Sequence, residues 1–234
     1  MASVNSAPLL VIGCGYSGRA IRKLVPGSLG TALPGENRDD EIPFRLDLNS
    51  DWTQLPEADK LIVTCKIDDS ALAIRIRDQL LPRFRSCLFL SSAASLRCDG
   101  PLLSESAGPA ETPRAQAEKL LAPVAPLLAL GLITGPGRET TKWLQEGRIA
   151  SRHKIVNFIG VDELASIALK ILDHPDFPRG WILCSDGRPR TWGEVATELH
   201  LDLPPDVPPQ RDSRAFDISR LKSLLSRELR SIDS

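Results

Sequence analysis

The stretch from Leu9 to Leu24, LLVIGCGYSGRAIRKL, decides how the rest of the 234-residue chain is read. Leu9, Leu10, Val11 and Ile12 form a short, wholly apolar run, the pattern of a strand buried on both faces of a parallel sheet. Gly13, Gly15 and Gly18 then give G-x-G-x-x-G. The first glycine permits a tight turn, the second lets backbone approach a diphosphate, and the third lets a helix pack closely on the strand. Ala20, Ile21, Leu24 and Val25 follow at roughly helical spacing. The turn is therefore expected at a helix N-terminus, where unpaired N–H groups and the positive end of the dipole favour an anion. A glycine pattern that follows a strand and opens a helix points to a dinucleotide site built from Gly13, Gly15, Tyr16, Ser17 and Gly18.

Charge balance narrows the function classes. The 29 Lys and Arg residues nearly cancel the 30 Asp and Glu residues, which argues against a nucleic-acid or polyanion surface. Cys14, Cys65, Cys87, Cys98 and Cys184 are scattered, no C-x-x-C occurs, and His153, His174 and His200 complete no zinc spacing. Reduced, buried thiols and no metal are expected. No run approaches the length of a membrane span, and the first residues lack a basic segment followed by an apolar core. The expectation is a cytoplasmic protein with a small-molecule partner, without nucleic acid or membrane.

The remaining chain alternates strand and helix signals. Ser28 to Leu33 reads as a second strand, followed by a loop in which Glu36 favours NAD, through ribose hydroxyls, and Arg38 favours NADP, through a 2′-phosphate. Ile42 to Leu48 reads as a third strand with Asp47 near its end. Leu61 to Cys65 is the next buried run, with a helix over Asp68 to Leu81 that carries Leu72, Ile76 and Leu80 on one face. Cys87 to Leu90 is a fifth strand ending at Ser91 and Ser92. These alternations indicate an α/β chain with a doubly wound parallel sheet, a Rossmann fold. Ligands of such sheets lie at the carboxyl ends of the strands, so Thr64, Cys65, Lys66, Ser91 and Ser92 are expected along one crevice.

Beyond a polar, loop-like segment from Ala93 to Pro113, helices are expected over Arg114 to Leu121, Thr140 to Glu146, Val161 to Leu172 and Thr191 to His200. Strands are expected over Leu127 to Ile133, Lys154 to Ile159 and Trp181 to Cys184. A proline-rich link over Leu203 to Pro209 leads to a last helix with Leu221, Leu224, Leu225 and Leu229. The division expected is a dinucleotide-binding domain over residues 1–150 and a small part over 151–234 that completes the sheet and a substrate cleft.

In this order the motifs resemble the extended short-chain dehydrogenase/reductase superfamily, of the NAD-dependent epimerase/dehydratase type. The resemblance rests on the glycine turn, Asp47-Leu48, Ser91-Ser92, Gly135-Pro136-Gly137-Arg138, and the segment Val156 to Ala165. It implies NAD or NADP as cofactor, with Asp47 and Leu48 at the adenine and Arg38, Thr64, Cys65 and Ser91 along the nucleotide. It also implies pairing as a homodimer through the helices at Asp68–Leu81 and Arg114–Leu121.

Catalysis in that family rests on a Tyr-x-x-x-Lys pair and a serine, in which tyrosine exchanges the proton and lysine lowers its pKa. Ser92 matches the serine. Ala110 and Arg114 stand where the pair is expected, and the single tyrosine of the chain is Tyr16, inside the glycine turn. Two accounts remain open. In one the chain is an atypical oxidoreductase acting on a small carbonyl or sugar-nucleotide-like substrate, with Ser92 and Lys66 as candidate catalytic groups. In the other it binds the dinucleotide without reacting it and serves as a sensor or partner-binding protein. Each candidate has a plain structural alternative: a turn-capping serine at Ser92, a solvated lysine at Lys66, a helix-pairing arginine at Arg114, and an ion-paired arginine at Arg138.

Overall fold

The computed structural model describes residues 6–97, 100, 102–146, 149, 151–174, 176–202 and 214–226. The apolar run forms β1 (Leu10–Ile12), in which Leu10 and Val11 are wholly enclosed. The glycine turn leads into α1 (Tyr16–Lys23), followed by β2 (Leu29–Ala32) and β3 (Ile42–Pro43). The next unit comprises β4 (Lys60–Val63), α2 (Ser70–Arg75) and β5 (Ser86–Ser92). After β6 (Leu102–Leu103) come α3 (Pro113–Leu121), β7 (Pro126–Leu130), β8 (Leu132–Thr134) and α4 (Thr140–Gln145). The remainder holds β9 (Ile155–Val156), β10 (Phe158–Gly160), α5 (Val161–Leu172), β11 (Gly180–Cys184), β12 (Arg190–Thr191), α6 (Trp192–Glu198), β13 (Ala215–Phe216) and α7 (Ser219–Leu225).

Seven strands form one sheet in the order β3-β2-β1-β4-β5-β7-β11, and all its pairings are parallel. The chain steps outward one way from β1 and the other way from β4. These neighbours therefore send their following connections in opposite directions, which opens a crevice at their carboxyl ends. The expected doubly wound Rossmann sheet is thus present. Helix α1 packs against α5, and α2 against α3. In α5, Val161, Leu164, Ala165, Ile167, Ala168, Ile171 and Leu172 are buried at helical spacing, while Asp162 and Glu163 occupy its first turn. Residues after 150 supply β11 to the common sheet and α5 to the common core. Leu144, Val156, Phe158, Trp192, Val195 and Ala196 form a second, smaller cluster.

Several elements differ from their sequence readings for local reasons. The third strand is confined to Ile42–Pro43 on the sheet edge, and proline has no N–H to extend a ladder. Beyond it the chain turns, with the Asp47 carboxylate accepting from the N–H groups of Asn49 and Ser50 at 2.8 Å each. The apolar run from Leu127 to Ile133 divides at Gly131, where a Cβ would stand 2.0 Å from the Asn157 carbonyl oxygen. The chain leaves the large sheet there, and β8 pairs instead with β10. The helix behind β4 is α-helical only over Ser70–Arg75, then widens to a π turn over Ile76–Leu80 and closes in a 3₁₀ turn containing Pro82. The loop-like segment after Ser92 contains β6, which pairs with β13. Cys14, Cys87 and Cys184 are buried free thiols and Cys65 is a half-buried one. Cys98, the link over 203–209 and Leu229 lie outside the described residues.

One buried carboxylate ties three elements together. Glu118 in α3 accepts from Ser91 Oγ in β5 at 2.7 Å, from Arg114 Nε at 2.7 Å, and from Trp181 Nε1 in β11 at 3.4 Å. Its side chain is 4% exposed and that of Arg114 is 22% exposed. Removing the carboxylate strands three donors, one of them charged, which costs about 2–3 kcal/mol once partial solvation of Arg114 is allowed for. Glu118→Ala is therefore expected to lower the urea midpoint by that amount with little change in slope, and an unshifted midpoint would show that the network contributes nothing.

Candidate functional site

The turn after β1 is held from two sides. The Thr31 carbonyl at the end of β2 accepts from Gly13 N–H at 3.1 Å and Cys14 N–H at 2.6 Å. From β4, the Thr64 hydroxyl donates to the Gly13 carbonyl. Gly13 has φ +95°, and a Cβ there would come 2.9 Å from Thr64 Oγ1 and 3.1 Å from Cys65 N. At Gly18 a Cβ would come 2.7 Å from the Gly13 carbonyl oxygen. These two glycines are thus required by close packing of α1, β1 and β4.

Gly15 differs. Nothing lies within 4 Å of where its Cβ would be, and the residue lines an open cleft of about 440 Å³. Its neighbours in that cleft are Gly13, Cys14, Tyr16, Ser17, Thr64 and Cys65, together with Arg19, Ala32, Leu33, Glu36 and Arg138. Gly15 is the N-cap of α1, and no side chain caps that end. The first-turn N–H groups and the dipole therefore face a cleft that has room for an anion. A diphosphate-bearing nucleotide fits these residues. Burial pushes the Cys65 thiol up to about 11, so it is no nucleophile at neutral pH.

Tyr16 and Arg138 form the far wall. The Arg138 guanidinium lies 4.5 Å from the Tyr16 ring centroid, a cation–π contact. The Tyr16 hydroxyl is buried and makes no hydrogen bond to the described residues. Burial raises its pKa, and the Arg138 charge opposes that rise. A Cβ on Gly135 would come 2.6 Å from this hydroxyl, so the glycine before Pro136 makes room for the tyrosine. Arg138 also borders a second, larger cavity of about 770 Å³, walled by Ala93, Ala94, Leu96, Leu132, Trp143, Val156, Trp192 and Phe216 and bordered by Lys154, Asn157 and Arg214. The two spaces thus share Arg138.

The structure brings Gly13, Gly15, Tyr16, Ser17, Thr64 and Cys65 together at the first cleft, with Gly18 packed beneath it. Other candidates lie elsewhere. Arg38 borders a separate recess with Arg22, Asp40 and Glu41. Asp47 is engaged in its own turn, and Leu48 is 41% exposed, its carbonyl accepting from Arg75. Ser91 turns to Glu118 beneath the sheet end. The Ser92 hydroxyl caps the turn that begins at Ala93, accepting from Ala94 N–H at 3.3 Å. Lys66 is 61% exposed and paired with Asp68 at 2.5 Å. Arg114 is paired with Glu118 one helical turn on. Sequence reasoning missed Arg19 as a cleft residue and missed the aromatic cavity altogether. A signal for the latter existed, since Trp143 and Trp192 are two of only four tryptophans.

No protein-family model matches the sequence, and no curated protein is similar to it in sequence. Solved structures do match in fold over nearly the whole chain. A conserved protein of unknown function from Silicibacter pomeroyi is 22% identical, with a TM-score of 0.72 over 97% of this chain and 94% of that one. MoeE5 in complex with UDP-glucuronic acid and NAD is 14% identical, with a TM-score of 0.75 over 96% and 94% of the two chains. A short-chain dehydrogenase/reductase superfamily protein from Agrobacterium tumefaciens with bound NAD is also 14% identical, with a TM-score of 0.74 over 95% and 92%. At these identities the likeness establishes the fold, that of NAD-dependent epimerase/dehydratase structures. Among the described residues no helix is long and apolar enough to cross a membrane.

Arg19 reaches its place through Glu41, whose side chain is 1% exposed and accepts from Arg19 Nε at 2.8 Å and Nη2 at 2.9 Å. The Arg19 hydrogen bonds hold the Glu41 carboxyl at about 2, below its ordinary 4.5. A carboxyl with a lowered folded pKa contributes stability above its unfolded value and loses it as pH falls through the folded one. The stability gap between wild type and Glu41→Gln is therefore expected to be full at neutral pH and to close from about 4.5 down to about 2. Denaturation curves at stepped pH measure it, and a gap independent of pH would contradict the assignment.

Proposed function

We propose that this chain binds a nicotinamide dinucleotide in the glycine cleft and is an atypical oxidoreductase of the epimerase/dehydratase type. Its substrate, a small carbonyl or sugar-nucleotide-like molecule, occupies the adjoining cavity. The observation that carries the reading is the empty direction at Gly15: the chain leaves a Cβ-sized opening onto a helix N-terminus, next to a second space that shares Arg138. Gly13, Gly15, Tyr16 and Ser17 would hold the diphosphate, with Thr64 and Cys65 along the nucleotide. Glu36 lines the cleft and Arg38 does not, which favours ribose hydroxyls over a 2′-phosphate, hence NAD over NADP. When bound, the nicotinamide supplies or accepts the hydride. Ser92 is the proposed orienting group; its hydroxyl accepts from Ala94 N–H and does not line the cavity, so this role requires that cap to open. Lys66 is held by Asp68 at the surface, and its candidacy as proton donor requires that pair to open.

A second reading, a dinucleotide-binding sensor, is favoured by one observation. Arg114 is engaged by Glu118, and the only tyrosine has its hydroxyl buried beside Gly135, so neither presents a proton to the cavity.

Thermal unfolding with NAD and NADP in both oxidation states tests binding first. At a hundred times its dissociation constant a ligand adds about 2.7 kcal/mol, or about 5–10 °C for a chain of this size. A larger shift with NAD than with NADP is expected. Gly15→Val should keep the ligand-free midpoint and lose at least tenfold in affinity, whereas Gly13→Ala should lower the midpoint itself. A full shift retained in Gly15→Val, or none in wild type with any of the four nucleotides, would overturn the reading. Turnover on a carbonyl and UDP-sugar panel then separates the enzyme from the sensor.

A further inference from the structure

The cavity beside Arg138 has an unusual set of polar groups. Among its described lining residues there is no carboxylate and no hydroxyl side chain. Its one amide, Asn157, is engaged at both ends by backbone: Nδ2 donates to the Arg214 carbonyl at 2.8 Å, and Oδ1 accepts from Phe216 N–H at 3.0 Å. Every charged side chain among those described lining residues is a cation: Arg138, Lys154 and Arg214. Hydroxyl-rich ligands need side-chain acceptors as well as donors, and an anion needs donors alone.

The walls are apolar and fixed. Trp192 is 3% exposed, stands edge-on to Phe158 at 5.5 Å and to Trp143 at 6.5 Å, and donates its backbone N–H to the Lys154 carbonyl. Rigid aromatic walls of this kind take up flat or branched apolar groups. Lys154 and Arg138 are both exposed, so they form a cationic rim over an apolar floor. Neither has an ion-pair partner among the described residues, and Arg138 is committed only to the face of Tyr16.

We propose that this cavity binds a small anion with an apolar body, its carboxylate or phosphate at the Arg138 and Lys154 rim and its hydrocarbon part against Trp143, Trp192 and Phe216, in preference to a sugar nucleotide. The inference narrows the substrate class of the proposed function, but it stands on the cavity alone. It is tested without nucleotide, so loss of dinucleotide binding and loss of anion binding are separate results.

Phenylpyruvate serves as the probe, with phenylacetone as its uncharged counterpart and UDP-glucose as the sugar nucleotide, each titrated against tryptophan fluorescence of the full chain. The expected result is saturable quenching by phenylpyruvate, with tenfold or more weaker binding of phenylacetone and of UDP-glucose. Trp143→Phe should remove a measurable part of the quenching. Lys154→Glu, a surface change, should weaken phenylpyruvate tenfold or more while the thermal midpoint stays put. Equal affinity for the neutral ketone, tighter binding of UDP-glucose, or no saturable response to phenylpyruvate would each overturn the proposal.

Discussion

The structure depends on how closely α1 can approach the end of β1. The approach is set by two missing side chains: a Cβ at Gly18 would strike the Gly13 carbonyl at 2.7 Å, and a Cβ at Gly13 would strike Thr64. Because that space is vacant, the first turn of α1 lies directly over the strand end, between Thr31 of β2 and Thr64 of β4. The neighbouring strands hold the turn in place through its own backbone groups, so the cleft is formed before any ligand arrives. Preorganisation of this kind lowers the ordering cost of binding.

The second space follows from a departure of the chain from the sheet. At Gly131 the backbone approaches Asn157 closely, and β8 leaves the plane of β7 to pair with β10. That excursion carries the Gly135 to Arg138 loop over Tyr16 and places Arg138 between the two spaces. The same loop explains why the sole tyrosine is held where it is: its ring lies beneath a guanidinium and its hydroxyl fills the volume that Gly135 leaves open. Ser91 and Arg114 are held by Glu118, and the Ser92 hydroxyl caps the turn that follows, so these side chains are engaged in holding the chain together. The open cleft at Gly15 and the cavity beyond Arg138 are two spaces that the fold leaves free of its own side-chain contacts.

What was legible in the sequence was what depends on neighbours in the chain. The buried run at β1, the glycine spacing and the apolar face of α5 are local patterns, and each marks its element correctly. Edge strands and breaks were less legible, because Pro43 and Gly131 act through the partner strand each denies or approaches. The aromatic cavity was not legible at all, since Ala93, Trp143, Lys154, Trp192 and Phe216 meet only after the whole chain has folded. The choice between Glu36 and Arg38 was of the same kind. Two residues apart on one loop, they line different recesses, and the backbone between them is turned by contacts from outside that dipeptide, among them the hydrogen bond from Arg38 N–H to the Glu41 carboxylate.

The central claim is that a dinucleotide diphosphate rests on the uncapped N–H groups that open α1. Amide nitrogen–proton correlation spectra of the labelled full chain, recorded while NAD is titrated in, address those groups one by one. The account predicts saturable shifts for Gly15, Tyr16, Ser17 and Gly18, with smaller ones at Thr64 and Cys65 and none along α7. Shifts confined to other surfaces, or a turn whose amides stay fixed at saturating NAD, would contradict it.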